Sequence, residues 1–171
     1  GGGGDTDAVV WQDSIGDGVL DGEEVVVSVA DLYEYELFGP EDSKDTLDQM
    51  LHKRNRALQS RFDVELVSAP TQTSGPHDHQ SHLEAVQRAM LNGDADFDVI
   101  AMFAYQSGKL ITSEYYLDWR KDIPYCRDSI KGGADWWPKG INDDCTVCGS
   151  QYVAVSDICI TAMEMAWSMI F

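Results

Sequence analysis

The run Val25-Val26-Val27-Ser28-Val29-Ala30 constrains this chain more than any other segment. It is apolar at nearly every position, so it suits a β-strand covered on both faces rather than one with a wet side. A strand of that kind needs elements packed above and below it.

From Asp45 the period changes. Leu47, Met50, Leu51, Leu58 and Phe62 fall at helical spacing and are expected to face inward, with Lys53, Arg54, Arg56 and Arg61 on the wet side. Asp63-Val64-Glu65-Leu66-Val67 then alternates as a strand that Pro70 is expected to close. A polar loop, residues 71–80, leads into a second helix from about Ser81 to Leu91. Leu83, Val86 and Met90 point inward and Asn92-Gly93 is the stop. Residues 97–103 are mostly apolar and form a third strand. Strand, helix, strand, helix, strand at these lengths predicts an α/β fold with a mostly parallel central sheet and flanking helices. Further on, a short helix or turn is expected over 107–116, a long irregular section over 118–149, and a returning strand over 151–155.

Residues 1 to about 23 are rich in Gly and Asp and read as a linker, leaving 24–171 as one domain. Asp17-Gly18-Val19-Leu20-Asp21-Gly22 has the look of a calcium loop but lacks the alternating oxygen ligands and the closing Glu, so a turn is expected. The opening Gly1-Gly2-Gly3-Gly4-Asp5 is the kind of lead-in that follows the lipidated cysteine of a bacterial lipoprotein, and an expression scar has much the same look. Twelve Lys and Arg face 30 Asp and Glu, a net charge of −18, and such a surface repels nucleic-acid phosphates and anionic lipid headgroups.

Several short passages, taken in order, are similar to the first lobe of the extracellular (family 1) solute-binding proteins of ABC importers, in the type II periplasmic-binding-protein group. Lys53-Arg54-Asn55-Arg56 followed by Arg61-Phe62-Asp63-Val64 resembles that family's passage from helix to strand. Asn92-Gly93-Asp94 before Asp96-Phe97-Asp98-Val99 resembles its entry to the third strand. Leu117-Asp118-Trp119, Ile123-Pro124-Tyr125 and Trp136-Trp137 resemble a loop near the mouth of its cleft, and Gly149-Ser150-Gln151-Tyr152 through Ser156-Asp157-Ile158 a strand and bend. The resemblance covers 25–171 and only the N-terminal lobe of that fold, the second lobe being absent. It implies capture of a small solute, a carbohydrate first, in an interlobe cleft, with delivery to ABC permease subunits. It also implies an extracellular or cell-surface bacterial protein, touching the membrane only through an N-terminal lipid anchor, with no cofactor and no catalysis.

Ligands of open α/β sheets sit beyond the carboxyl ends of the strands. That rule and the aromatic content of the loops select Tyr33, Glu34, Tyr105, Trp136, Trp137, Ser156 and Asp157 as ligand-binding candidates. Each also has a plainer reading as packing at the edge of the core.

Two rival chemistries are visible. Cys145-Thr146-Val147-Cys148 is a CxxC, with Cys126 and Cys159 elsewhere. No helix pattern starts there and the preceding Asn142-Asp143-Asp144 disfavours a thiolate, so structural disulfides in one of three connectivities are expected over thiol-redox catalysis. His77, His79 and His82, with Asp78 or Glu84 as a fourth ligand, could hold a metal, but the expected reading is a solvated loop whose Asp78 and Ser81 cap the start of the helix. The alternatives to solute capture are therefore an exported thiol-redox or metal-binding domain, or a fragment with no transport role. No phosphate loop, GxSxG elbow or HExxH is present.

Overall fold

The computed structural model describes residues 15–111, 116–123 and 139–155. Their architecture is mixed α/β: a three-stranded parallel sheet with flanking helices, and a small separate hairpin. Strand β1 (Glu23–Ala30) runs the full length of the apolar stretch and is central. On one side it pairs with β2 (Val64–Thr71), from Glu23 opposite Val64 to Ala30 opposite Thr71. On the other it pairs with the two-residue β3 (Val99–Ile100), Ser28 lying opposite Ile100. Pro70 therefore lies within β2 and does not close it. The third strand is shorter than its apolar run, because after Ile100 only the amide of Ala101 still bonds to β1, at the Ser28 carbonyl.

A short 3-10 turn (Asp31–Tyr33) and helix α1 (Tyr35–Phe38) follow β1, and the long helix α2 (Thr46–Phe62) returns to β2. Asp45 caps α2 by accepting from the Leu47 and Asp48 amides, which its sequence position demands. Helix α3 (His79–Asn92) connects β2 to β3 across β1. The first crossover moves one way along the sheet and the second moves back, so right-handed connections put α2 and α3 on opposite faces. Val29 and Ala30 are buried accordingly.

The α3 side holds the main apolar cluster. Leu83, Val86 and Leu110 are buried, and Met90, Phe97, Ile100, Met102 and Tyr116 pack on them. Within α2 only Leu51 and Asn55 are buried, while Leu47, Met50 and Leu58, expected inward, are exposed. The reason is where α1 docks. Asn55 donates Nδ2 to the Leu37 carbonyl at 2.9 Å, and Arg54 donates to the same oxygen at 2.8 Å. Gly39 fits against the α2 backbone one turn earlier. The Arg54-Asn55 pair is thus a clamp on the free carbonyls that end α1.

Residues 15–22, the last part of the expected linker, form a turn tied to the end of α2. The Gly18, Leu20 and Gly22 amides bond to the Arg61, Phe62 and Asp63 carbonyls, and Asp17 pairs with Arg61 at 3.1 Å.

Beyond β3 the helical turn α4 (Ala104–Ser107) is earlier and shorter than expected. Helix α5 (Lys139–Asp144) lies inside the section read as irregular. It leads into a hairpin of β4 (Thr146–Val147) and β5 (Ser150–Gln151), so the strand expected over 151–155 is reduced to its first residue.

His82 couples sheet and helix. It is 2 % exposed and its Nε2 lies 3.1 Å from Ser28 Oγ on β1. Burial lowers its pKa below the ordinary 6.5. In the unfolded chain the imidazole titrates near 6.5, so between that value and the lower folded one the unfolded state binds more protons. Its contribution is therefore intact above about pH 6.5 and is lost as pH falls toward the folded value. Urea midpoints at pH 7.5 and 5 are expected to show a larger loss on acidification for the wild type than for His82→Gln. Equal losses would remove His82 from the account.

Candidate functional site

The strand order β2-β1-β3 creates a switch point between β1 and β3, where consecutive connections leave in opposite directions. Segments following all three strands meet at its carboxyl end. Tyr33 follows β1, His79 opens α3 after β2, and Phe103 and Tyr105 follow β3. Their rings form one cluster. The Tyr33 and Phe103 centroids are 5.0 Å apart and edge to face, and His79 lies 4.3 Å from Phe103. Tyr105 completes it at 5.9 Å from Phe103 and 6.1 Å from His79, and remains 68 % exposed.

The loops under these rings are fixed by hydrogen bonds rather than by apolar packing. Asp31 Oδ1 accepts from Thr73 Oγ1 at 2.6 Å, from the Thr73 amide at 3.1 Å and from the Leu32 amide at 2.9 Å, which joins the β1 and β2 loops. Tyr33 donates its hydroxyl to the Pro76 carbonyl at 2.7 Å. Burial raises the pKa of that phenol, and Glu36 and Tyr105 push it further, so it stays a donor. Gln106 Nε2 donates to the His79 carbonyl at 2.8 Å, tying α4 to the start of α3. Asp78 accepts from the amides and hydroxyls of Ser74 and Ser81. With the Ser74 amide foremost, those bonds hold its carboxyl well below the usual carboxylate range.

Beside the cluster is a cleft of about 350 Å³ lined by Asp31, Glu34, Tyr35, Phe38, Gly39 and Pro40. Rings with carboxylates close by, open to solvent, can cover the C–H face of a polar solute and accept its hydroxyls. Nothing in the arrangement places a nucleophile against a base.

Of the candidates read from sequence, Tyr33 and Tyr105 are brought together, and Glu34 lies in the adjoining cleft. Trp136, Trp137, Ser156 and Asp157 lie outside the described residues. His79 and Phe103 belong to the cluster and were not among the ligand-binding candidates. Phe103 is the last residue of the run read as the third strand and His79 lies in the polar loop read before the second helix, so nearness to the strands' carboxyl ends is the available signal.

The histidine group is divided among three tasks. Asp78 caps α3, His79 stacks on Phe103, and His82 is buried against Ser28. Among the described residues no group of His, Cys, Asp and Glu has the geometry of a metal site.

The CxxC stands in the hairpin rather than at a helix start. Cys145 and Cys148 are free thiols, while Cys126 and Cys159 lie outside the described residues. Cys148 (φ 51°) and Gly149 (φ 82°) are the two left-handed residues of a tight turn of type I′.

A second polar site joins this hairpin to residues 117–122. Asp118, 4 % exposed, accepts from the Gln151 amide through Oδ1 and pairs with Lys121 at 3.0 Å through Oδ2. Lys121 donates to Ser150 Oγ at 2.6 Å. Ser, Lys and Asp in a row resemble a serine–lysine catalytic pair, but the electrostatics oppose that chemistry. A base needs a lysine of lowered pKa, and the hydrogen bond to Asp118 raises that of Lys121. Burial pushes the Asp118 carboxyl up, yet bonds from the Gln151 amide, Lys121, Ser150 and the Arg120 amide more than offset it and hold the group well below the usual range. The site is a clasp.

No protein-family profile, curated protein or solved structure matches the chain. Among the described residues no helix is long and apolar enough to cross a membrane.

Proposed function

We propose that this chain captures a small polar solute at the carboxyl end of β1 and β3, as the N-terminal lobe of an extracellular solute-binding protein serving an ABC permease. The observation that carries the reading is the ring cluster of Tyr33, His79, Phe103 and Tyr105 at the switch point of a parallel sheet. A carbohydrate fits best. Its C–H faces suit the exposed ring of Tyr105, and Glu34 and Asp31 can take its hydroxyls. The net charge of −18 opposes phosphorylated or otherwise anionic solutes. A second lobe closing over this surface by a hinge would complete the enclosure.

The test is an amide-resolved NMR titration of the chain with neutral oligosaccharides, maltotriose and cellotriose first. Expected are saturable shifts at residues 31–34, 73–79 and 101–106. Tyr105→Ala is expected to weaken binding about tenfold, a typical loss for an aromatic anchor, without moving the urea midpoint, because the ring is mostly exposed. Saccharides that leave these amides unmoved, or that bind Tyr105→Ala equally well, would sink the reading.

A further inference from the structure

The distance between residues i and i+3 is set by the two residues between them. In Cys145-Thr146-Val147-Cys148 those two are the whole of β4, and both are paired, Thr146 with Gln151 and Val147 with Ser150. Two extended residues place the flanking Cα atoms about 10 Å apart, at ~3.3 Å per residue. A disulfide needs roughly 4.4–6.8 Å between Cα atoms. Odd spacing along a strand also sends the two side chains to opposite faces. We infer that the β4–β5 hairpin and a Cys145–Cys148 disulfide exclude one another, so that oxidation of this pair is a switch that opens the clasp on Asp118.

The oxidant is an external disulfide of the glutathione class. The exposed Cys148, as thiolate, attacks one of its sulfurs, expels one thiolate and forms a mixed disulfide. Cys145 then displaces the second thiolate. The protein gives up two electrons and two protons in all, and the external disulfide is reduced to two thiols. In the folded hairpin the second displacement is out of reach, so the reaction stops at the mixed disulfide. It completes only when Thr146 and Val147 leave their partners.

Loss of the hairpin removes the Gln151 amide from Asp118, the Ser150 hydroxyl from Lys121, and the Gln151 carbonyl from the Trp119 amide. Residues 117–122 then lose their anchor, and with them the neighbouring Tyr116, which packs on the α3 cluster.

The experiment uses the whole chain with Cys126→Ser and Cys159→Ser, oxidised glutathione as the oxidant, mass spectrometry to map bonds, and hydrogen exchange. The bridged species is expected to lose protection at the Trp119 and Gln151 amides by at least about tenfold while β1 and β2 stay protected. The bridge is expected to form faster in urea than in buffer. Cys148→Asn, which places the favoured Asn-Gly pair in the turn, is expected to keep the clasp protected in the same oxidant. A bridged species with Trp119 and Gln151 still protected would overturn the inference, as would equal loss of protection in Cys148→Asn.

Discussion

Gly39→Ala is expected to destabilise the fold by about 2–4 kcal/mol, the sum of left-handed strain and overpacking. Gly39 ends α1 with φ 58°. A Cβ there would lie 2.5 Å from the Asp48 carbonyl oxygen and 2.9 Å from Leu51 Cβ. The oxygen belongs to the α2 backbone and cannot turn aside. The only relief is to push α1 off α2, which breaks the bonds from Asn55 and Arg54 to the Leu37 carbonyl. Gly93→Ala is the control. Its φ is 73°, but nothing lies within 4 Å of its added carbon, so it carries the conformational cost alone, about 1 kcal/mol. Urea unfolding of the two variants separates the effects. Equal losses would mean that the α1–α2 contact is looser than the structure has it.

Asp118→Ala is expected to cost about 2–3 kcal/mol, in line with removing the acceptor of several charge-assisted bonds from a buried position. It leaves the Gln151 amide without its acceptor and Lys121 without its counter-ion. Asp17→Asn, which breaks the more exposed pair with Arg61, is expected to cost less than about 1 kcal/mol. Acid tests the same group. Its folded pKa is depressed, so its contribution is present above the unfolded value of about 3.9 and is lost as pH falls below it. Hydrogen exchange at Trp119 and Gln151 locates the effect, and an Asp118→Ala protein with both amides still protected would show that the clasp is held by something else.

The parallel α/β core was legible because each element announces itself locally. β1 is apolar on both faces, Asp45 and Asp78 start their helices, and Gly93 stops one. Positions just past strand ends led to Tyr33, Glu34 and Tyr105 for the same reason. What could not be read is which surfaces stay uncovered. Leu47, Met50 and Leu58 have the spacing of an inward stripe, but α1 takes only the Leu51–Asn55 part of α2. His79 was weighed as a metal ligand with its sequence neighbours, whereas its partner is Phe103, 24 residues on in the chain. The apolar run over 151–155 suggested a strand, yet Gln151 spends its side chain on Arg120 and the Val153 carbonyl, and pairing ends there. The Arg54-Asn55 and Leu117-Asp118-Trp119 passages do have identifiable work, as a clamp on α1 and a clasp on the hairpin.

Among the described residues β2 has a neighbour only on its β1 side, so every second one of its eight residues turns its backbone groups outward. An open strand of that length is a template on which other copies of the chain can stack. Backbone donors alternate between the two sides of a strand, and the Leu66 amide is engaged by Gln59 Oε1 instead of by β1. The outer row is therefore that of residues 64, 66, 68 and 70. Leu66 in that row is already occupied, and Pro70 has no amide hydrogen. A second copy laid along this edge would find two of the four outward amide donors missing, and would bring another strongly acidic molecule against the first. Pro70, one residue short of the strand's end, therefore works against addition of a further strand at the β2 edge.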